Sequence, residues 1–210
     1  MNILEKIKTK KWIPYITYIL TGINVVIFLI EELYGGSENI ETALSFGAFF
    51  TPYIILNGEL YRLVASMFLH FGAEHLGANM ISLCALGPYV EHYFGHLYFL
   101  ILYFFSGICG NLATMFYEYL TGSFNISAGA SGAVFGLLSV FLLFAFNKRL
   151  RRVFPVRRVM LSILLSMASG LMDTSVNFIA HLGGFTGGLI LSLIMQEIIR
   201  FNIRHGGKRK

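Results

Sequence analysis

SGAVFGLLSVFLLFAF-NKRLRRVFPVRR, residues 131–158, holds sixteen residues with no charge followed by twelve that carry six cations. Ser131 to Phe146 is apolar on every face. An amphipathic helix of a soluble domain has a polar side; a helix without one is buried in a large core or in lipid. A chain of 210 residues, 56% hydrophobic and 13% charged, has no core large enough to hide such segments. Soluble domains carry about 25% charged residues. Lipid therefore covers part of this chain. The cations that follow (Lys148, Arg149, Arg151, Arg152, Arg157, Arg158) mark where the apolar run leaves the membrane.

Working outward, five further apolar stretches approach the length of a span, about 20 residues. They run from about Trp12 to Ile30, His75 to Tyr93, Leu97 to Leu120, Val159 to Leu171 (longer if 154–156 join) and Phe178 to Ile199. Together with Ser131–Phe146 they predict an all-α, polytopic membrane protein: one domain over 1–210 built as a six-helix bundle. Even parity puts both termini on one side. Lys6, Lys8, Lys10 and Lys11 precede the first stretch, and Arg200, Arg204, Lys208, Arg209 and Lys210 follow the last. With the 148–158 cluster these are 15 of the 16 basic residues, and this topology places all of them in the cytoplasm. That asymmetry explains the net charge of +5 without nucleic acid. Residues 1–11 and 200–210 are thus expected as a basic cytoplasmic start and tail. The basic, apolar amino end resembles a signal peptide, but Glu31 and Glu32 stand where small residues would mark cleavage, so a retained first span is expected.

Residues 31–74 form a long external connection. It is too broken to span and too apolar for water, as in Phe46-Gly-Ala-Phe-Phe50 and Leu63-Val-Ala-Ser-Met-Phe-Leu69. It is expected to lie in the outer interface or to re-enter the protein edge. Cys84 and Cys109 sit inside apolar runs and are expected as packed thiols, not as a disulfide or a metal site.

Polar side chains inside a membrane are costly, and each marks a candidate site. His75 and Asn79 open the second stretch, Ser131 the fourth, and His181 lies in the first turn of the sixth. These three stretches run in the same direction, so the four residues fall in one layer of the outer leaflet. Ser131 lies in Gly129-Ala-Ser-Gly132, where glycines allow a sharp turn and a helix start offers unpaired N–H groups to a developing anion. Alone it reads first as a helix cap. Small residues at intervals of four (Ala128, Gly132, Gly136 on one stretch; Gly184 and Gly188, doubled by Gly183 and Gly187, on the other) allow close backbone packing that would bring His181 to Ser131 as a general base. His75 and Asn79, four apart, share a helical face and can donate to a carbonyl oxygen beside the Ser131 backbone N–H. Asp173 lies in a loop, so a Ser–His dyad is expected, not a triad.

These strings, in this order, resemble the rhomboid intramembrane proteases from about Gly58 to Gly188. The likeness rests on Gly129-Ala-Ser-Gly132, on Ala180-His181-Leu-Gly-Gly184-Phe-Thr-Gly-Gly188, and on His70-Phe-Gly-Ala-Glu-His75-Leu-Gly-Ala-Asn79. Tyr61-Arg62 and Glu91 after Gly87-Pro-Tyr-Val are further features of it. The resemblance implies a six-helix fold with a cavity open to the external face of the plasma membrane. It implies Ser131 as nucleophile, His181 as base, and His75 and Asn79 as oxyanion donors. It also implies a half-embedded first loop, substrate entry near span five, and no metal or organic cofactor. Three positions depart from the family pattern: Tyr61 stands for a Trp, Phe135 for a Tyr under the base, and Asn177 lies four residues before the base, not three.

The reaction expected is endopeptidase cleavage of membrane-anchored protein substrates near the outer face. A helix hides its carbonyls, so substrate segments should carry helix-destabilising residues. The alternatives are a catalytically inactive rhomboid-like protein that binds and escorts membrane helices, and a small transporter, which would call for an inverted repeat and a site at the midplane.

Overall fold

The computed structural model describes residues 12–172 and 177–206, and these are helical nearly throughout. Six long helices fall on the six apolar stretches: α1 (Tyr15–Leu33), α5 (Gly72–Phe94), α6 (His96–Thr121), α7 (Ser131–Phe146), α8 (Val156–Met172) and α9 (Phe178–Gly206). Three short helices, α2 (Ile40–Phe46), α3 (Thr51–Asn57) and α4 (Arg62–Ala65), and a 3-10 turn at Ser66–Phe68 lie between α1 and α5. Among the described residues, three helices are long and apolar enough to cross a membrane: Tyr15–Leu33, His96–Thr121 and Phe178–Asn202. Ser131–Phe146 is equally apolar but shorter. The chain is an all-helical membrane protein. The amino-terminal lysines, Asp173 and the last four residues lie outside the described residues.

The helix without a polar face is the axis of the bundle. Gly132 to Phe141 of α7 are buried without a break, and Phe144 and Ala145 extend the buried run. Around it, α1, α6, α8 and α9 turn large side chains outward, among them Tyr18, Val26, Phe116, Leu165 and Ile190. An apolar exterior on this scale belongs to a surface not facing water.

The connection between α1 and α5 is less exposed than its sequence suggests. Ala48, Phe49, Met67 and Leu69 are buried against the bundle. Arg62 is the reason the segment holds its shape. Its guanidinium, 4% exposed, donates to the carbonyls of Leu44 and Ala48 at 2.9 Å each and pairs with Glu59 at 2.6 Å. Arginine can do this because its donors are arranged as a planar fork. Asn57 and Arg62 hold the Glu59 carboxyl below the usual carboxylate range.

Glu91 does the corresponding work at the other end of the molecule. Pro14 at the start of α1 offers no side-chain cap. Fully buried Glu91 of α5 supplies one, accepting from the Ile16 and Thr17 amides at 3.0 and 2.9 Å and from Thr17 Oγ1 at 2.6 Å. His96 Nδ1 lies 2.5 Å from Oε1, the oxygen that also accepts from Ile16. One expectation is corrected here. Cys109 packs against Gly187, but Cys84 is exposed on α5 near Thr21 Oγ1, because its position on the helix faces outward.

Candidate active site

Ser131 is the first residue of α7, and the residue in the capping position is Ala130. The hydroxyl is therefore not the helix cap that its position in sequence allowed. Gly129 makes the turn, with a φ of +134°. A Cβ there would sit 2.8 Å from His75 Cε1 and 3.0 Å from its Nε2. Glycine is required both for the backbone and for the imidazole that covers it. The same hypothetical Cβ would be 3.8 Å from Ser131 Oγ, so His75 and the hydroxyl flank one small backbone segment. Asn79, one turn along α5, uses one amide hydrogen on the His75 carbonyl at 3.0 Å and keeps a second.

The segment before Ser131 is pinned from the α1–α5 connection. Phe49 and Ser127 exchange backbone hydrogen bonds of 2.9 and 3.0 Å. The Gly129 amide donates to the Ser66 carbonyl at 2.9 Å. The Ala130 amide points at His70 Nε2, 3.4 Å away. His70 is 1% exposed and rests edge-on against His75, with ring centroids 5.2 Å apart. Burial, followed by the neighbouring His75, pushes its pKa down to about 3, so it stays neutral and free to accept.

His181 comes from α9. Its ring lies flat on Phe135, centroids 4.0 Å apart and planes 15° from parallel. Phe135 is one turn below Ser131 on the same face of α7, so imidazole and hydroxyl share that face. Backbone contact makes this possible. A Cβ on Gly184 would lie 2.0 Å from the Gly132 carbonyl oxygen, and one on Gly188 would lie 2.5 Å from Gly136 Cα. Gly183 and Gly187 face the other way, onto Ala113 and Cys109 of α6. The doubled glycines thus let α9 seat against two helices at once. Ser131 Oγ and His181 form no hydrogen bond with each other among the described residues, and no carboxylate there bonds His181 Nδ1. Such bonds are often long before substrate binds. Beside Ser131 is a small cavity lined by Met67, Gly107, Asn111, Gly129, Gly132 and Ala180.

The structure thus gathers Ser131, His181, His75, Asn79, Phe135 and the four motif glycines at one end of the bundle. Arg62 and Glu91 lie apart from them. It also adds residues to which the sequence reading gave no role. His70 supports Ala130, and Asn111 holds the α1–α5 connection through the Leu63 carbonyl and Ser66 Oγ at 2.9 and 3.0 Å. Asn177 caps α9. An asparagine directly before an apolar helix is a recognisable cap signal, so Asn177 was within reach of the sequence.

The Rhomboid domain model matches residues 57–198. The chain belongs to the rhomboid family. It is similar to "Rhomboid protease GluP" of Bacillus subtilis (strain 168), 32% identical over 176 residues, covering 83% of this chain and 34% of that protein. It is similar to "RHOMBOID-like protein 1" of Arabidopsis thaliana, 35% identical over 168 residues, covering 76% and 41%. "Rhomboid-type serine protease 2" of Emericella nidulans is 36% identical over 142 residues, covering 66% and 27%. The chain therefore spans well under half the length of these three relatives. This rhomboid is a membrane protein of a protease family.

Proposed function

We propose that the chain is an intramembrane serine endopeptidase, with Ser131 as nucleophile and His181 as general base. The observation that carries this is the stack of His181 on Phe135, one turn below Ser131, with the Gly184 backbone resting on Gly132. In the proposed reaction His181 takes the hydroxyl proton as Ser131 Oγ attacks a peptide carbonyl. The oxyanion accepts hydrogen bonds from the Ser131 N–H, the free Asn79 amide hydrogen and His75. The proton passes to the leaving amine as an acyl-enzyme forms, and water then releases it. His181 works in a dyad with Ser131.

The substrates are membrane-anchored proteins whose spanning segments unwind near the outer face, because a hydrogen-bonded helix presents no accessible carbonyl. In this reading all six long helices cross the plasma membrane, with both termini and residues 148–158 in the cytoplasm. The outward belts of apolar side chains on α1, α6, α8 and α9 support it, as does the placement of 15 of 16 basic residues. Residues 31–74 form the external, membrane-associated connection, and the basic segments 1–11 and 200–210 flank a single domain.

The test uses purified protein and a transmembrane substrate with a glycine- or proline-containing segment. The wild-type chain should cleave it and take up a fluorophosphonate on Ser131, whereas Ser131→Ala should do neither. Cleavage retained by Ser131→Ala would end the proposal. A wild-type chain that binds the substrate helix without cleaving it would support the escort reading.

A further inference from the structure

Asn177 joins the two halves of the site. Its Oδ1 accepts the Ala180 amide at 2.9 Å, capping the first turn of the helix that carries His181. The same oxygen lies 3.2 Å from Thr114 Oγ1 of α6, whose one proton it shares with the Gly110 carbonyl at 3.1 Å. Its backbone carbonyl accepts the His181 amide at 3.3 Å. Its Nδ2 donates to Ser127 Oγ at 3.2 Å. Ser127 lies four residues before Ser131, in the segment fixed by the Phe49 pairing and the Gly129–Ser66 bond. One side-chain amide thus spans from the segment that delivers the nucleophile to the helix that delivers the base. It also ties both to α6.

We propose that Asn177 is a positioning residue that sets the separation of the Ser131 hydroxyl and the His181 imidazole. It touches neither reacting atom. The contacts of Gly132 with Gly184 and of Gly136 with Gly188 fix how closely α7 and α9 approach. Glycine contacts carry no directional bond, however, and by themselves they set the approach of α9 without fixing its slide and rotation near His181; the Gln196–Tyr93 bond of 2.8 Å lies far down the helix. The Asn177 amide removes that freedom, because its acceptor is committed to α9 and its donor to the nucleophile segment. A displacement of about 1 Å between reacting groups can cost about 100-fold in rate. Four residues before the base is where a side chain both caps α9 and reaches Ser127.

This inference rests on the Ser131–His181 reading above, and the experiment separates the two. Asn177→Ala, Asn177→Asp, Ser127→Ala and the Asn177→Ala/Ser127→Ala double variant are made in the full chain. Each is measured for rate of Ser131 labelling by a fluorophosphonate, for kcat and KM on a transmembrane substrate, and for unfolding temperature. Labelling rate is taken per folded molecule. Asn177→Ala should lower kcat and labelling by about 10- to 100-fold with KM unchanged. Asn177→Asp keeps the acceptor for Ala180 and can receive a hydrogen bond from the Ser127 hydroxyl, so it should recover most of the rate. The double variant should be no slower than Asn177→Ala, because the two side chains act as one connection. The proposal is overturned if folded Asn177→Ala labels at the wild-type rate, if the two changes multiply, or if Asp fails to rescue. Should Asn177→Ala not fold, Ser127→Ala and Asn177→Asp decide by the same criteria. A wild-type chain that neither cleaves nor labels overturns the catalytic reading and this inference together; an active, Ser131-dependent wild type with an indifferent Asn177 overturns this inference alone.

Discussion

The backbone of Gly184 rests directly on the backbone of Gly132, so closely that a methyl group on Gly184 would fall 2.0 Å from the Gly132 carbonyl oxygen. The atom in the way is backbone and cannot rotate aside. Gly184→Ala must therefore push α9 off α7, and His181, one turn before Gly184, moves with it. Overpacking of this kind costs about 1–3 kcal/mol. The expected outcome is a lower unfolding temperature and loss of at least 10-fold in Ser131 labelling. Gly77→Ala, on α5 where a Cβ meets nothing, is the control and should change neither. Wild-type labelling by Gly184→Ala would show that the seam does not set the site.

Phe135 is the floor on which His181 lies, and it has no hydroxyl to offer. In the proposed mechanism it would stop the imidazole from rotating, through area and ring stacking. Removing the ring with Phe135→Ala should cost about 3–5 kcal/mol of stability by the usual measure for a buried phenylalanine. Phe135→Leu keeps most of the volume and loses only the flat surface. It should retain most of the stability while kcat falls several-fold at constant KM. Equal kcat for Phe135→Leu and wild type would refute the orienting role. Phe135→Tyr should be close to wild type in both measurements.

How far the sequence foretold the structure depends on the range of the interaction. Local hydropathy located each long helix, since a span-length apolar run has few alternatives. Boundaries were less legible where charge continues inside a helix. Arg157 and Arg158 belong to the first turn of α8, and α9 runs through Arg200 to Gly206, because hydropathy reports the lipid and not the helix. Small-residue spacing identified the α7–α9 seam, as both partners carry the pattern. Gly183 and Gly187 duplicate that seam in sequence but face α6, whose Cys109 and Ala113 keep the same interval of four without a glycine to mark it. Pairs far apart without a matching pattern could not be read. Nothing in the sequence near Thr17 points to Glu91, and nothing near Ser127 points to Asn177.

Stability should depend on pH through His70. Burial holds its folded pKa at about 3, against about 6.5 when the chain is unfolded. Between those values the unfolded chain binds a proton that the folded one refuses. The stabilising contribution is thus fully present above about pH 6.5 and is lost as pH falls toward 3. The slope attributable to one such group is at most about 1.4 kcal/mol per pH unit. Denaturant unfolding at pH 7, 6, 5 and 4 should show a steeper decline for wild type than for His70→Gln. Parallel curves would mean that His70 titrates normally in the folded protein. The same variant keeps an acceptor for the Ala130 amide in its side-chain oxygen, so Ser131 labelling at pH 7 should stay close to wild type.

Glu91 tests whether a residue in the family pattern can be essential to the fold and irrelevant to the chemistry. It lies on α5, twelve residues beyond Asn79, with its carboxylate fully buried and occupied by the first turn of α1 and by His96. Trp12 closes over this cluster, stacked on His96 at 5.2 Å and edge-on to His92 at 4.7 Å. Glu91→Ala would leave the amides of Ile16 and Thr17 without their acceptor at a buried helix start. Each such group costs about 1–3 kcal/mol, so the variant should lose about 2–6 kcal/mol. Glu91→Gln keeps one acceptor oxygen but turns an N–H₂ toward donors, and should fall between. The loss should be confined to the attachment of α1. Limited proteolysis should cut first at the start of α1, about Trp12–Tyr18, while molecules still folded label on Ser131 at the wild-type rate. If Glu91→Ala were as stable as wild type, the cap would be unnecessary. If its folded fraction labelled slowly, α1 would be coupled to the site through α5, and the division between fold and chemistry drawn here would fail.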